Sequence, residues 1–282
     1  MVLVLKVLSL FDGMSCGQIA LNRLGFNIDK YYASEIDKYA IQVTQKNFPN
    51  TFQIGDVTKI NTEYFKDIDL LLAGSPCQGF SFAGKQLAFE DPRSALFFEF
   101  IRILKEIKPK YFLLENVRMK KDFLNIISKQ VGCKPILINS ALVSAQNRQR
   151  FYWTNIPGVE QPKDKNILLE TILEDDAVEP MLSNIYGGFG EKKPRLHRNK
   201  SVTIRTASGG GHIPSVTLKK YDKCFYRKLM PIEAERLQTV PEGYTEGVSN
   251  TQRYKMLGNG FTVEVICHIL KNIRKITEMI KR

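Results

Sequence analysis

The sequence predicts an α/β protein, a parallel sheet wrapped by helices with a smaller loop-rich lobe inserted ahead of its last part. Three observations predict it. Over roughly the first 155 residues short apolar runs alternate with helical patterns, separated by Gly, Pro or Asn. Runs such as Leu70-Leu71-Leu72-Ala73 are continuously apolar, as strands covered on both faces must be. From Asn155 to about Phe225 the pattern gives way to Pro157-Gly158, Gly187-Gly188, Pro194 and Gly209-Gly210-Gly211 with no sustained helical period.

Taken in order, Val2 to Leu10 is a strand candidate, Gly17 to Leu24 a helix, Lys30 to Ser34 a strand and Lys38 to Asn47 a helix. Leu70 to Ala73 then reads as a strand, Leu96 to Ile107 as a helix and Tyr111 to Leu114 as a strand. Strands that alternate with helices in this way pair in parallel. Beyond the lobe a helix opens at Pro231, where proline suits a first turn, and runs to Gln238. The last helix, Thr262 to Ile280, repeats Val263, Ile266, Leu270, Ile273, Ile276 and Ile280, an apolar stripe that must dock on a core.

Composition narrows the classes. With 282 residues, 43% hydrophobic and 25% charged, the chain can bury a core without disulfide or metal staples, which excludes disordered and fibrous proteins. Five scattered cysteines without a Cys-x-x-Cys suggest neither a disulfide framework nor a zinc site, so no metal is expected and a reducing cytoplasm fits. No apolar run approaches the length of a membrane span. Of the net charge of +12, residues 183–228 carry +9, a concentrated patch suited to a polyanion.

The candidate chemistry sits where strands end. Phe11-Asp12-Gly13-Met14-Ser15 joins the first strand to the first helix through a glycine-bearing turn. In open α/β sheets ligands bind at such carboxyl ends, although a tight turn without a ligand would look similar. Glu35 and Asp56 close the next two strands, where carboxylates can accept hydrogen bonds from ribose hydroxyls and an adenine amino group. Pro76-Cys77 follows the buried strand 70–73 and precedes a Gly/Ser loop, the place a nucleophile must stand. A free thiol is only a few per cent thiolate at neutral pH, so the site must activate it. Glu115 ends another apolar strand, where it is either a proton donor or an ion-paired acid. Gln146, Arg148 and Arg150 alternate and, on a strand, would share one face able to hold a carboxylate and a carbonyl oxygen.

This ordered set resembles the cytosine-C5 DNA methyltransferase family, and the likeness runs along most of the chain. It is carried by Phe11-Asp12-Gly13, Glu35, Asp56, Pro76-Cys77, Glu115-Asn116-Val117 and Gln146-x-Arg148-x-Arg150. Beyond the lobe it continues in Arg227-x-Leu229-x-Pro231-x-Glu233-x-x-Arg236-Leu237-Gln238 and Gly258-Asn259-Gly260-Phe261. Phe11-Asp12-Gly13, Arg93 to Phe100 and Phe151-Tyr152-Trp153 look most like the catalytic domain of the animal de novo enzymes, whereas Gly258-Asn259 is the bacterial form. A minimal prokaryotic or phage enzyme is the reading. Two departures from the resemblance are Ser15 and Cys16, where family members often carry extra glycines, and Gly260-Phe261, where a small or valine residue is common.

The resemblance implies a Rossmann-like S-adenosylmethionine-dependent methyltransferase domain over 1–154 and 229–282, with a target recognition domain over 155–228. It implies S-adenosylmethionine as donor and S-adenosylhomocysteine as product. Phe11, Asp12, Gly13, Ser15, Glu35, Ile36, Asp56, Val57, Pro76, Asn259 and Gly260 would hold the cofactor. Cys77 would be the nucleophile, Glu115 would bond the base at N3, Arg150 would hold O2 and Arg148 would support the site. Double-stranded DNA is the implied partner, with Ser81, Lys85, Gln86 and Arg93 at a candidate lid and Arg205 and Thr206 as candidate base readers. Lys192, Lys193, Arg195, Arg198, Lys200 and Arg205 would grip phosphates. A cognate restriction endonuclease and a homo-oligomer, through Phe97-Phe98, are compatible with it, core packing being the ordinary use of such a pair. A tRNA cytosine methyltransferase and a catalytically silent DNA-binding protein are the rivals. The first lacks its Cys-Phe-Thr marker at Cys224-Phe225-Tyr226, and the second should have lost residues that are present.

Overall fold

The computed structural model describes residues 3–75, 92–185, 193–206, 213–218 and 225–280. Pro76, Cys77, Ser81, Lys85, Gln86 and Lys192 lie outside these residues, as does the side chain of Arg93. The chain divides into two compact units, one of residues 1–138, 149–161 and 266–282, the other of residues 139–148 and 162–265.

The first unit is built on a sheet of seven strands. These are β1 (Val4–Leu10), β2 (Asn27–Ser34), β3 (Phe52–Gln53), β4 (Leu70–Gly74), β5 (Tyr111–Val117), β6 (Ile136–Asn139) and β7 (Gln149–Thr154). Their order is β3-β2-β1-β4-β5-β7-β6, parallel from β3 to β5, with β7 antiparallel to β5. The chain therefore winds outward from β1 in one direction and then returns to its other side at β4. That reversal between β1 and β4 opens a crevice at the carboxyl ends of the strands, where ligands bind in such sheets.

Helices α1 (Cys16–Arg23), α2 (Lys38–Asn47), α3 (Pro92–Ile107) and α4 (Lys121–Val131) connect these strands. Leu8, Leu10, Leu71, Ala73, Leu114, Phe97, Phe100, Ile103 and Trp153 form one core cluster between strands and helices. Of the pair considered for assembly, Phe97 belongs to that core while Phe98 is exposed. Gly17 shows why α1 lies so close to the sheet: a Cβ there would come within 2.6 Å of Leu72 Cδ1 and 3.2 Å of the Tyr31 hydroxyl.

The second unit contains the four-stranded sheet β11-β10-β8-β9, formed by β8 (Ala177–Ser183), β9 (Arg195–His197), β10 (Ser215–Leu218) and β11 (Tyr226–Lys228), all antiparallel. The sequence reads this region as loops because three of its strands are only 3 or 4 residues long, too short for alternation to register. The unit also holds α5 (Pro231–Leu237) and α6 (Asn250–Asn259), and the last helix is α7 (Val263–Ile280). Arg227 bonds both oxygens of the fully buried Glu233, at 2.8 and 2.9 Å, and Glu233 accepts from Met230 N at the start of α5. The compact division departs from the sequence boundaries at 154 and 228, because residues 139–148 and 229–265 share a buried polar network with 201–204. No helix among the described residues is long and apolar enough to cross a membrane.

Candidate active site

In the first unit, the loop after β1 is wound tightly: Phe11, Gly13 and Ser15 all have positive φ, at 55°, 60° and 63°. Such conformations cost energy for residues with a Cβ and persist only where neighbours hold them. Here the holder is Asp12, whose buried carboxylate accepts from Ser15 Oγ at 2.6 Å and from Tyr31 Oη at 2.8 Å. Its burial, the largest influence, and the charge of Glu35 raise the carboxyl to about 6, against the opposing hydrogen bonds of Ser15, Ser9 and Tyr31. Asp12, Ser15 and Val57, three of the residues expected to hold the cofactor, are buried, while Phe11 and Gly13 are partly exposed.

Glu35 follows β2 and is fixed by three backbone donors: Gly13 N on Oε2 at 2.7 Å, and Ile36 N and Asp37 N on Oε1 at 2.8 Å. Asp56, partly exposed after β3, accepts from Thr58 N, and that backbone hydrogen bond holds its carboxyl below the ordinary value. Ile36 stands 76% exposed beside Glu35, far more than an isoleucine needs for packing. Two oriented carboxylates, with the partly exposed Phe11 and the exposed Ile36, make a set of acceptors and apolar groups that fits a nucleoside. A carboxylate accepts from ribose hydroxyls or an adenine amino group, and the apolar groups cover a base.

Glu115 lies on the other side of β1, two strands away on β5. The β4–β5 register sets it opposite Gly74, at the point where the chain leads through Ser75 to Pro76 and Cys77. Glu115, Val117, Arg150 and Tyr152 share a face of the β5–β7 pair. Arg150 Nε bonds Glu115 Oε1 at 2.9 Å, with both side chains largely buried. Glu115 thus has a guanidinium as its neighbour, a contact compatible with either role expected for it. Asn116, absent from the sequence-derived site, donates to Ser75 Oγ at 3.0 Å with both residues buried.

Arg148 is not on the same strand face as Arg150. β7 begins at Gln149, and Gln146 and Arg148 belong to the second unit. There Arg148 is 3% exposed and donates to the carbonyls of Ile204, Gly258 and Gly260 at 3.2, 3.2 and 3.0 Å. The expectation of three aligned polar side chains fails because the chain is irregular before β7 and these residues satisfy buried backbone instead. Lys200 also departs from its expected role: its ammonium bonds the carbonyls of Ala141, Ser144 and Ile167, and burial lowers its pKa. Lys193, Arg195, Arg198 and Arg205 are exposed, Thr206 is partly so, and Asn259 and Gly260 close α6.

Comparison with known proteins matches this chain to a known family. The family described as C-5 cytosine-specific DNA methylase matches residues 5–188 and 181–275. The type II methyltransferase M1.ScrFI of Lactococcus lactis subsp. cremoris is 32% identical over 327 residues, covering 98% of this chain and 80% of that protein. The type II methyltransferase M.HhaI of Haemophilus parahaemolyticus is 29% identical over 310 residues, covering 95% and 94%. The Entamoeba histolytica methyltransferase EhMeth, 16% identical, superposes with a TM-score of 0.75 over 98% of this chain and 99% of its own, a likeness of fold. On the strength of the family match and the relatives' coverage, the chain belongs to the C-5 cytosine-specific DNA methylase family and is a DNA cytosine-5 methyltransferase.

Proposed function

We propose that the protein methylates a cytosine flipped out of double-stranded DNA within a short recognition sequence, using Cys77 as nucleophile and S-adenosylmethionine as donor. The observation that carries the reading is the register of Gly74 with Glu115, joined to the Glu115–Arg150 pair. It brings the segment that leads to Cys77, an acid and a guanidinium to neighbouring strand ends of one sheet.

C5 of cytosine is a poor nucleophile, and attack at C6 makes it a better one. Cys77 Sγ forms a bond to C6, and the displaced ring electrons are stabilised at N3 by a hydrogen bond from Glu115. Arg150 has five N–H donors, enough to keep its bonds to Glu115 and the Gln149 carbonyl and still reach O2 of the base. S-adenosylmethionine, when bound, supplies the electrophilic methyl that C5 takes. Loss of the C5 proton to solvent leaves its electron pair to form the C5–C6 double bond, while the pair of the Cys77–C6 bond departs with sulfur, restoring the aromatic ring and the free thiolate.

Phe11 and Ile36 would cover the adenine, Glu35 accept from the ribose and Asp56 from the adenine amino group, with Asn259 and Gly260 near the methionine portion. Because a stacked base cannot offer C6 to a thiolate, the target must leave the duplex, at a few kcal/mol. Arg205 and Thr206 would read base edges, while Lys193, Arg195 and Arg198 neutralise phosphates, so affinity should fall steeply with salt. Residues 155–228 would carry target recognition.

The test is methylation of an unmethylated genome by the purified protein with S-adenosylmethionine, read as 5-methylcytosine at base resolution. One short motif converted at high level is expected, and Cys77→Ala should abolish it while leaving the fold intact. Conversion of tRNA but not DNA, or retained methylation by Cys77→Ala, would overturn the reading.

A further inference from the structure

Within the second unit the segment 201–204 is strapped along 145–148. Ser201 N donates to Ala145 O at 2.6 Å, Asn147 N to Ser201 O at 2.9 Å, and Thr203 Oγ1 to Asn147 O at 2.5 Å. Gln146 Oε1, fully buried, accepts from Ile204 N at 2.9 Å, while Arg148 bonds the Ile204 carbonyl. The same Gln146 donates to the Leu237 carbonyl and to Gln238 Oε1, both at 3.1 Å. Gln238 in turn donates to the carbonyls of Leu257 and Gly260, and Arg148 bonds those of Gly258 and Gly260. Three buried side chains thus hold two backbone segments, 201–204 and 257–260, in one arrangement.

The next residues, Arg205 and Thr206, leave this clamp toward solvent, and Gly258 lies directly beneath the peptide bond that joins them. A Cβ on Gly258 would come within 2.7 Å of the Arg205 carbonyl oxygen, and closer still to its carbonyl carbon and to Thr206 N. These are backbone atoms, unable to swing aside as a side-chain end does. Gly258 has no positive φ and is helical, so its backbone conformation does not demand glycine. The demand comes from the neighbouring chain.

We infer that Gly258 is a specificity-determining positioning residue: its bare Cα seats the Arg205–Thr206 peptide at the height from which these residues read the target sequence. Ordinary carbon contacts need about 3.5 Å, so any side chain at 258 displaces the peptide by about 1 Å. A hydrogen bond to a base edge does not survive such a shift, and each good contact discriminates about tenfold or more against the wrong base. The inference rests on the proposed DNA-reading role of Arg205 and Thr206, which the double variant below tests separately.

The experiment compares methylation of a library of duplexes, each carrying one substitution in or beside the wild-type motif, by wild type, Gly258→Ala and the double variant Arg205→Ala/Thr206→Ala. The double variant marks the positions that this segment reads. Gly258→Ala should lose discrimination by about tenfold or more at those same positions. Added to the double variant, it should lower discrimination there no further, since both act through one contact. S-adenosylmethionine binding should stay within a few-fold of wild type. If Gly258→Ala does not fold, Arg148→Lys, which loosens the same clamp, must relax the same positions. Unchanged discrimination in Gly258→Ala, an additive loss, or loss of donor binding with discrimination intact would each overturn the inference. No motif from wild type would instead fail the proposed function.

Discussion

The two units place their candidate site residues by different means. In the first, Phe11, Glu35, Asp56 and Glu115 each follow or end a strand of one sheet, so topology alone delivers them to a common edge. Local backbone donors then orient the acids, as three N–H groups do for Glu35. In the second, Arg205, Thr206 and Gly260 lie outside regular structure and are placed by buried side chains that bond carbonyls across long sequence separations, Arg148 to Gly258 among them. A sheet edge tolerates loss of a site side chain because the strand pairing beneath it survives. A clamp of buried donors does not, because each lost donor strands carbonyls with no water to replace it.

That contrast can be broken or sharpened by four measurements. Arg148→Leu should be the most damaging to stability: it removes the arginine donor from the buried carbonyls of Ile204 and Gly258 and one of two donors from that of Gly260, at about 3 kcal/mol or more in urea unfolding. A loss under 1 kcal/mol would mean that the clamp is not what holds the second unit.

Asp12 gives a pH signature to the first unit. Its carboxyl is raised from 3.8 to about 6, so in that window the folded state keeps a proton that the unfolded state releases. Stability contributed at low pH is therefore lost as pH rises from about 4 to about 6, by about 3 kcal/mol in all. Asp12→Asn should flatten this slope, and equal slopes for variant and wild type would remove Asp12 as its source.

Glu35→Ala should weaken S-adenosylmethionine binding by about tenfold or more in calorimetric titration, since charged hydrogen bonds carry about 1.5–3 kcal/mol each. Its unfolding midpoint should move less than that of Arg148→Leu, and the reverse ranking would erase the contrast between the units. The smallest effect is expected at Gly17→Ala, about 1 kcal/mol, because the nearest atom it meets is the movable end of Leu72.

Much of the first unit is legible in sequence because its signals are local. The expected helix Lys38 to Asn47 is the observed α2, and the expected strand Leu70 to Ala73 is β4 less its last residue. The residues that follow those strands needed only the rule that ligands gather at carboxyl ends. Tyr31 was not legible as a brace for Asp12, since nothing in Lys30-Tyr31-Tyr32 tells which hydroxyl turns inward. Nor was Lys200 legible as a structural ammonium: in sequence it is one more cation in a basic stretch, and only folding brings three carbonyls around it.

By itself, then, the sequence determined the α/β class, the order of the parallel strands' site-bearing ends and the kind of chemistry their residues suit, because hydrophobic period and turn residues act over a few positions. Only the tertiary structure decided that Glu115 is paired with Arg150, that Arg148 serves buried backbone, and that Gly258 is glycine to admit a neighbouring peptide. Those outcomes depend on which distant atoms compete for one donor or one gap, and no local pattern in a chain records that competition.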